Sequence, residues 1–315
     1  HCIVVNNGTI SLTLAAIALG VAPGDEVIVP NYTMVATPNS IKMIGARPVF
    51  VDVETETLCL DYEKVLLSVT KKTKAIILVS ANGRYPKKDI SFFFELCKEK
   101  NIALIEDSAQ SLGSFYPDGR HIGRAGMIGS FSFSAPKIIS TGQGGALITD
   151  SDELNEKLRK LKDFGRASGG NDVHDTIGFN SKFTELQACI GIEQMKKLNQ
   201  RINRKKEIWK VYYKNLEDCS HVKMFDHNLK NTSPWFIDIL TEKREKLIEF
   251  LKSNNIGTRV MYPPLNKQKA YNEKTNHPVS EEIGKKGLWL PSSITLEDDQ
   301  IVYICNKIKN FFINA

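Results

Sequence analysis

The 315-residue chain lacks the short patterns that announce a metal site or a disulfide scaffold. Its six cysteines, Cys2, Cys59, Cys97, Cys189, Cys219 and Cys305, are scattered with no C-x-x-C pair, and its six histidines form no H-E-x-x-H. That usage predicts reduced thiols and no bound metal. No apolar run approaches the ~20 residues a membrane span requires, and the first residues lack the charged-then-apolar layout of a signal peptide, so a cytoplasmic protein with no membrane partner is expected. Charge of one sign is scarce as well: 42 Lys and Arg against 36 Asp and Glu leave +6. The clusters Lys71-Lys72-Thr73-Lys74 and Arg204-Lys205-Lys206 are expected as solvated surface, and no nucleic-acid partner is expected. There is no G-x-x-x-x-G-K-[ST], and Gly123, Gly126 and Gly129 stand three apart rather than in the order G-x-G-x-x-G, which excludes P-loop and Rossmann dinucleotide readings. The chain opens on His1-Cys2-Ile3-Val4-Val5, already an apolar strand pattern, and a preceding segment is expected.

What the sequence does hold is a regular alternation. Val27-Ile28-Val29, Val49-Phe50-Val51, residues 76–79, 102–105, 131–133 and 146–149 are short apolar runs without polar interruption. Helical spacing occupies residues 11–19, 36–44, 62–69 and 90–100. Unbroken apolar strands between helices predict a mostly parallel sheet buried on both faces, a three-layer α/β/α arrangement. A long helical stretch is expected from Thr184 to Leu216. Beyond it come strand patterns at 235–240 and 256–261 and helical patterns at 242–253 and 298–312, the mark of a smaller α+β unit. The expected division is a large domain over 1–200 and a small one over 201–315.

Three places could carry chemistry. Lys137 follows the strand pattern Phe131-Ser132-Phe133 and precedes the glycine-rich turn Gly142-Gln143-Gly144-Gly145. A lysine on such a rigid strand end can be desolvated until its amine is a nucleophile, although the same string suits a surface lysine beside a hairpin. Residues 102–105 run into Glu106-Asp107 at what would be the carboxyl end of a buried strand, where open α/β sheets bind ligands. There Asp107 could face a protonated ring nitrogen and Gln110 a neighbouring oxygen, with helix capping as the plain alternative and Glu106 the blander of the two acids. Asn7-Gly8-Thr9-Ile10 joins a strand to a helix, a natural phosphate cradle that is equally good turn chemistry. An anion site, a strand-end acid and a strand-end lysine together are what pyridoxal phosphate requires.

These motifs resemble the DegT/DnrJ/EryC1/StrS sugar aminotransferases, a fold-type I family of pyridoxal phosphate enzymes. The likeness runs through Asn7-Gly8-Thr9, Gly24 to Pro30, Glu106 to Gln110, Phe131 to Lys137, Thr141 to Gly145, Gly178-Phe179-Asn180 and Arg259 to Pro263. It implies that Lys137 takes the cofactor aldehyde and moves protons between substrate and cofactor. Asp107 is then expected on the pyridine nitrogen, Gln110 on the ring oxygen, and Gly8, Thr9, the Ile10 amide and Ser132 on the phosphate. Asn180 is expected to reach the phosphate of a neighbouring subunit, which makes the active unit a homodimer with shared sites. A related group of dehydratases has histidine at the lysine position, so the lysine argues for transamination.

Two departures from the family stand out. Met34 occupies the place of the usual stacking aromatic, so either its thioether packs on the cofactor ring or Tyr32 or another side chain supplies the stacking. Residues 80–86, Ser-Ala-Asn-Gly-Arg-Tyr-Pro, also differ from the usual loop and are placed close enough to the site to affect substrate fit, with neutral drift as the alternative. The stretches 173–180, 276–282 and 290–305 resemble the subgroup that aminates a GDP-linked 4-keto-6-deoxymannose at C4 with glutamate as donor. His174, Lys182, Arg259 and Tyr262 are the candidate substrate contacts, each with an ordinary loop or surface role as its alternative. Amination of a dTDP- or UDP-linked sugar at C3 or C4 is the rival within the enzyme class, and a non-catalytic cofactor-binding regulator the rival outside it.

Overall fold

The computed structural model describes residues 1–314. Seven strands form the first sheet: β1 (Cys2–Val5), β2 (Glu26–Pro30), β3 (Arg47–Val51), β4 (Thr73–Val79), β5 (Ala103–Asp107), β6 (Ile128–Ser132) and β7 (Gly145–Ile148), in the order β1-β7-β6-β5-β4-β2-β3. The middle of the sheet is parallel, as expected; β7 pairs antiparallel with both β6 and β1. Along β4, Ala75, Ile77 and Val79 enter one apolar core, while Ile76 and Leu78 enter another on the opposite face. Burial on both faces is why these strands read as continuous apolar runs. The first core is closed by α1 (Gly8–Ala18) and α5 (Asp152–Lys162), the second by α3 (Tyr62–Ser68) and α4 (Ile90–Lys100). A further helix, α2 (Ala36–Lys42), packs on α1 and contributes Ile41 to the first core. Such an arrangement matches the fold-type I architecture expected above.

The expected long helix is two, α6 (Glu185–Lys196) and α7 (Leu198–Leu216), broken at Lys197. The second sheet has the order β10-β11-β9-β8, from β8 (Lys223–Met224), β9 (Ile237–Leu240), β10 (Arg259–Val260) and β11 (Gly287–Leu290). The last of these was not expected: its four residues lie directly behind α9 (Pro278–Lys286) and pair antiparallel with β9 and β10. Ile208 and Tyr212 of α7, Ile237 and Ile239 of β9, Leu247 of α8 (Arg244–Ser253) and Ile301 of α10 (Asp298–Asn314) share one separate core.

Lys205 corrects the surface reading of its basic cluster. It is buried, and its Nζ donates to the carbonyls of Trp235 (2.7 Å) and Ser292 (2.5 Å). Burial lowers its pKa to about 8.

Glu106 serves the fold rather than a helix cap. Its fully buried carboxylate accepts from Tyr116 Oη (2.7 Å) and from the amides of Gly123 (2.9 Å), Ala125 (2.6 Å) and Gly126 (2.7 Å), fixing the loop ahead of β6. Glu106→Gln would turn an amide NH2 against at least one backbone donor, Gly123 in one orientation and Ala125 with Gly126 in the other. With each orphaned buried group costing about 1–3 kcal/mol, the variant should lose about 3 kcal/mol in denaturant unfolding. A loss below about 0.5 kcal/mol would contradict this role.

Candidate active site

Two strand ends set the site. Asp107 closes β5, is buried, and points its Oδ2 at the Thr37 hydroxyl, which donates at 2.8 Å. The Ala109 amide donates to Oδ1 at 3.2 Å. Burial pushes the Asp107 carboxyl up; the Thr37 and Ala109 hydrogen bonds and the nearby Lys137 ammonium pull against that. Lys137 sits in the turn after β6, its amide bonded to Ser134 O (3.0 Å). Its Nζ lies 3.8 Å from the centre of the Trp235 ring. Removal from water lowers the amine to about 8; Asp107 works against the shift and Arg259 adds to it. An amine so depressed is a usable nucleophile near neutral pH.

Beside these lies the junction of β1 and α1. Asn7 caps the helix, its Oδ1 accepting the Ile10 amide at 2.9 Å. The expected donor at Ile10 is therefore engaged by Asn7, and the Gly8 and Thr9 amides are the first-turn donors left without an intrahelical acceptor. A Cβ on Gly8 would stand 2.8 Å from Ser132 Cβ and 3.1 Å from its Oγ. The helix N-terminus thus abuts the Ser132 hydroxyl at the end of β6. Positive helix end, amides, a hydroxyl and a contact only glycine permits make a cradle suited to a phosphate. With a buried acid and a depressed lysine beyond it, the donor set fits pyridoxal phosphate.

Arg259 and Tyr262 come from the second sheet to the same place. Arg259 lies over the Trp289 ring (5.4 Å), and with Lys137, Arg201 and Phe236 it lines a crevice of about 490 Å³. Tyr262 packs edge-on against Trp289 and tilted against Tyr32, and burial raises its phenol to about 12. Tyr32 itself is buried in a core cluster with Val53, Phe225 and Met261. Met34 is exposed, its Sδ accepting the Ala36 amide at 3.0 Å. Of the two stacking candidates, Met34 is the one presented at the surface. Gln110 Oε1 accepts the Asn82 amide at 2.7 Å.

His174, Asn180 and Lys182 lie together elsewhere, on an exposed segment. His174 Nδ1 meets Phe164 O (3.0 Å), Asn180 bridges Asp163, and Lys182 pairs with Asp163 Oδ1 (2.8 Å) and covers the Phe164 ring. Lys182 also bridges Val5 of β1, which places the segment along the edge of the sheet near the phosphate cradle. Thr37 and Trp235 are site residues that sequence reasoning did not name, and Asn82 was singled out only as part of the loop at 80–86. Thr37 lies one residue inside a helix and Trp235 at the head of a strand pattern, and neither position carries a signal of its own.

Residues 1–309 match the DegT/DnrJ/EryC1/StrS aminotransferase family. Over 312 residues the chain is 38% identical to a GDP-perosamine synthase of Escherichia coli O157:H7, covering 98% of this chain and 85% of that one. The GDP-perosamine synthase of Vibrio cholerae is 36% identical over 320 residues, at 99% and 86% coverage. Among solved structures, S. venezuelae DesV in complex with a ketimine intermediate superposes with a TM-score of 0.92 at 30% identity, covering 99% of this chain and 84% of that one. The chain belongs to the DegT/DnrJ/EryC1/StrS family and is a pyridoxal phosphate-dependent aminotransferase.

Proposed function

We propose that this chain moves an amino group from glutamate to the C4 ketone of a nucleotide-linked 4-keto-6-deoxy hexose, with GDP-4-keto-6-deoxy-D-mannose as acceptor and GDP-perosamine as product. The observation that carries the reading is the Lys137 amine, held out of water against Trp235 and within the influence of Asp107. The GDP-linked sugar is supported by the names of the two relatives above.

Pyridoxal phosphate, when bound, supplies an aldehyde for amine exchange and a ring that draws electrons from the carbon losing its proton. Gly8, Thr9 and Ser132 would hold its phosphate, and Asp107, steadied by Thr37, would set its carboxylate toward the ring nitrogen. Lys137 would supply the amine that binds the aldehyde and, as a free amine, the base that accepts and returns a proton. Arg259 offers its guanidinium to a donor carboxylate or a diphosphate. Two half-reactions on one cofactor give ping-pong kinetics.

A core of its own against each sheet supports a large unit over 1–200 and a small one over 201–315, with Tyr32, Val53, Phe225 and Met261 in a further cluster that joins them. None of the α6 residues is buried, although the helix carries Leu186, Ile190, Ile192 and Met195. Exposed apolar surface of that extent supports a homodimer covering this face, with Asn180, His174 and Lys182 brought to the partner's site. Among the described residues no helix is long and apolar enough to cross a membrane.

A panel of GDP-, dTDP- and UDP-linked keto sugars assayed with glutamate tests the reading, with the position of the new amine read by NMR. The GDP-linked 4-keto sugar should lead in kcat/KM by about 100-fold, as expected when a nucleotide-base hydrogen bond is lost from the wrong substrate. Equal or better turnover of a dTDP- or UDP-linked sugar would overturn the nucleotide choice. Absence of turnover on every sugar, in protein that holds the cofactor, would favour the regulator.

A further inference from the structure

After β4 the chain passes through residues 80–86, where Asn82 takes a left-handed conformation (φ 54°, ψ 29°), one that asparagine tolerates better than most residues. It is only 4% exposed, and its main-chain N–H and both ends of its side-chain amide are engaged. The main-chain N–H donates to Gln110 Oε1 (2.7 Å). The side-chain Oδ1 accepts the amides of Trp235 (2.9 Å) and Phe236, and Nδ2 donates to Phe236 O (2.9 Å). Toward Phe236 the side-chain amide therefore acts as the peptide of a neighbouring strand would, one acceptor and one donor in fixed order. The same rule orients Gln110: its oxygen must face the Asn82 amide, so its NH2 end is directed elsewhere as a donor. Gly83, next in the chain, approaches so closely that a Cβ there would lie 2.2 Å from Ser233 O.

Trp235 is held from other directions too. Its carbonyl accepts Lys205 Nζ (2.7 Å), its indole N–H donates to Pro136 O (2.7 Å), and its ring covers Lys137 Nζ at 3.8 Å. It also stacks on Phe236, with ring centres 3.9 Å apart.

The geometry points to Asn82 as a positioning residue: by gripping Trp235, Phe236 and Gln110 at once, it fixes the indole over the Lys137 amine and presents the Gln110 NH2 as a donor. The inference rests on Lys137 being the reacting amine. Without the Asn82 side chain, the N–H groups of Trp235 and Phe236 and the Phe236 carbonyl lose their partners; the indole keeps its bond to Pro136 O, but the main chain that carries it is no longer held in place, the ring shifts off the amine, and water reaches Nζ. The charged groups acting on that amine, Asp107 from β5 and Arg259 from β10, stay in place.

The test uses cofactor-free and cofactor-loaded protein side by side. In the cofactor-free form, acylation of Lys137 by an amine-selective reagent is followed against pH by mass spectrometry. The wild-type midpoint is expected at about 8, and Asn82→Ala should raise it by about one unit as desolvation is relieved. In the loaded form the visible band should titrate at a displaced pH, and kcat should fall on the order of 10- to 100-fold with KM for the amino donor changed less than about threefold. Trp235→Phe should reproduce the midpoint shift, and the double variant should be no worse than either single, because both changes remove one interaction. A folded Asn82→Ala protein with wild-type midpoint and band, or a double variant whose effects add, would overturn the proposal. Should Asn82→Ala fail to fold, Trp235→Phe carries the test by itself, and an unshifted midpoint there would overturn it equally. Turnover retained by Lys137→Ala would instead remove the role of Lys137, an outcome read separately from these.

Discussion

Lys137→Ala should transaminate at least about 10⁴-fold more slowly than the wild type while remaining folded and able to take up the cofactor, because it removes both a nucleophile and a positioned proton carrier. The covalent hold on the aldehyde goes, and so does the group that passes a proton between carbons. The microenvironment shows why an ordinary surface amine is no substitute. With its pKa lowered to about 8, roughly one-tenth of the cofactor-free amine is unprotonated at pH 7, against roughly one in three thousand for an unperturbed lysine. Lys137→Arg should fail as badly, since a guanidinium keeps its proton throughout the accessible range. Lys137→Ala should lose little stability, because the wild-type side chain is a cation kept from water and Ala removes that cost; Lys137→Arg keeps the cost, with a cation that cannot neutralise. Absorbance of the loaded protein, single-turnover rates with glutamate and a thermal melt check all of this together. Turnover within about tenfold of wild type would remove Lys137 from the chemistry.

How far the sequence could carry this is best judged residue by residue. Asp107 was legible because a buried parallel strand, Ala103–Asp107, is apolar until its carboxyl end, and that end is where such sheets place their ligands. Gly8 was legible as part of a strand-to-helix junction and Ser132 only with the family resemblance; the reason glycine is needed, a contact with Ser132, is a long-range fact that no local pattern encodes. β11 was missed because four buried residues behind a helix carry no period long enough to read. The loop at 80–86 was legible as a departure from the family, but not in what holds it. Its local signature is that of a turn, yet Asn82 and Arg84 are buried by residues far along the chain, Trp235 to Asp238. Turn-like polar residues that end up buried betray themselves only once the second sheet has docked.

Arg84 carries the largest stability effect expected from that docking. It is 4% exposed and faces Asp238 of β9, itself 2% exposed, through a forked pair: Nη2 to Oδ2 at 2.5 Å and Nη1 to Oδ1 at 3.2 Å. Nε donates to Thr57 O (3.0 Å), Nη1 also meets His227 Nε2 (3.1 Å), and the Phe225 ring lies 5.0 Å away. Burial alone would lower the guanidinium's pKa, but Asp238 outweighs it and the group is held above its ordinary value. The same cation, with burial, keeps His227 well below its usual range, so the imidazole is neutral and accepts from Arg84. Arg84→Met would leave the Asp238 carboxylate in the same dry place without its counter-charge, and the loss should be about 3–5 kcal/mol, read as a lowered denaturant midpoint of the cofactor-loaded protein. Asp238→Asn should cost less, since the amide oxygen still accepts one guanidinium N–H. The informative comparison is Arg84→Met with Asp238→Leu: removing both charges removes their desolvation too, so the double variant should recover most of what either apolar single loses. A single loss under about 1 kcal/mol, or a double variant worse than the sum of its parts, would mean that the pair does not hold the two sheets together. The pair stands two residues beyond Asn82 and Phe236 along the chain, so a broken fork should also loosen the indole over Lys137. In the singles kcat should fall along with stability, whereas in the double variant, with the strands held by packing, it should return toward wild type.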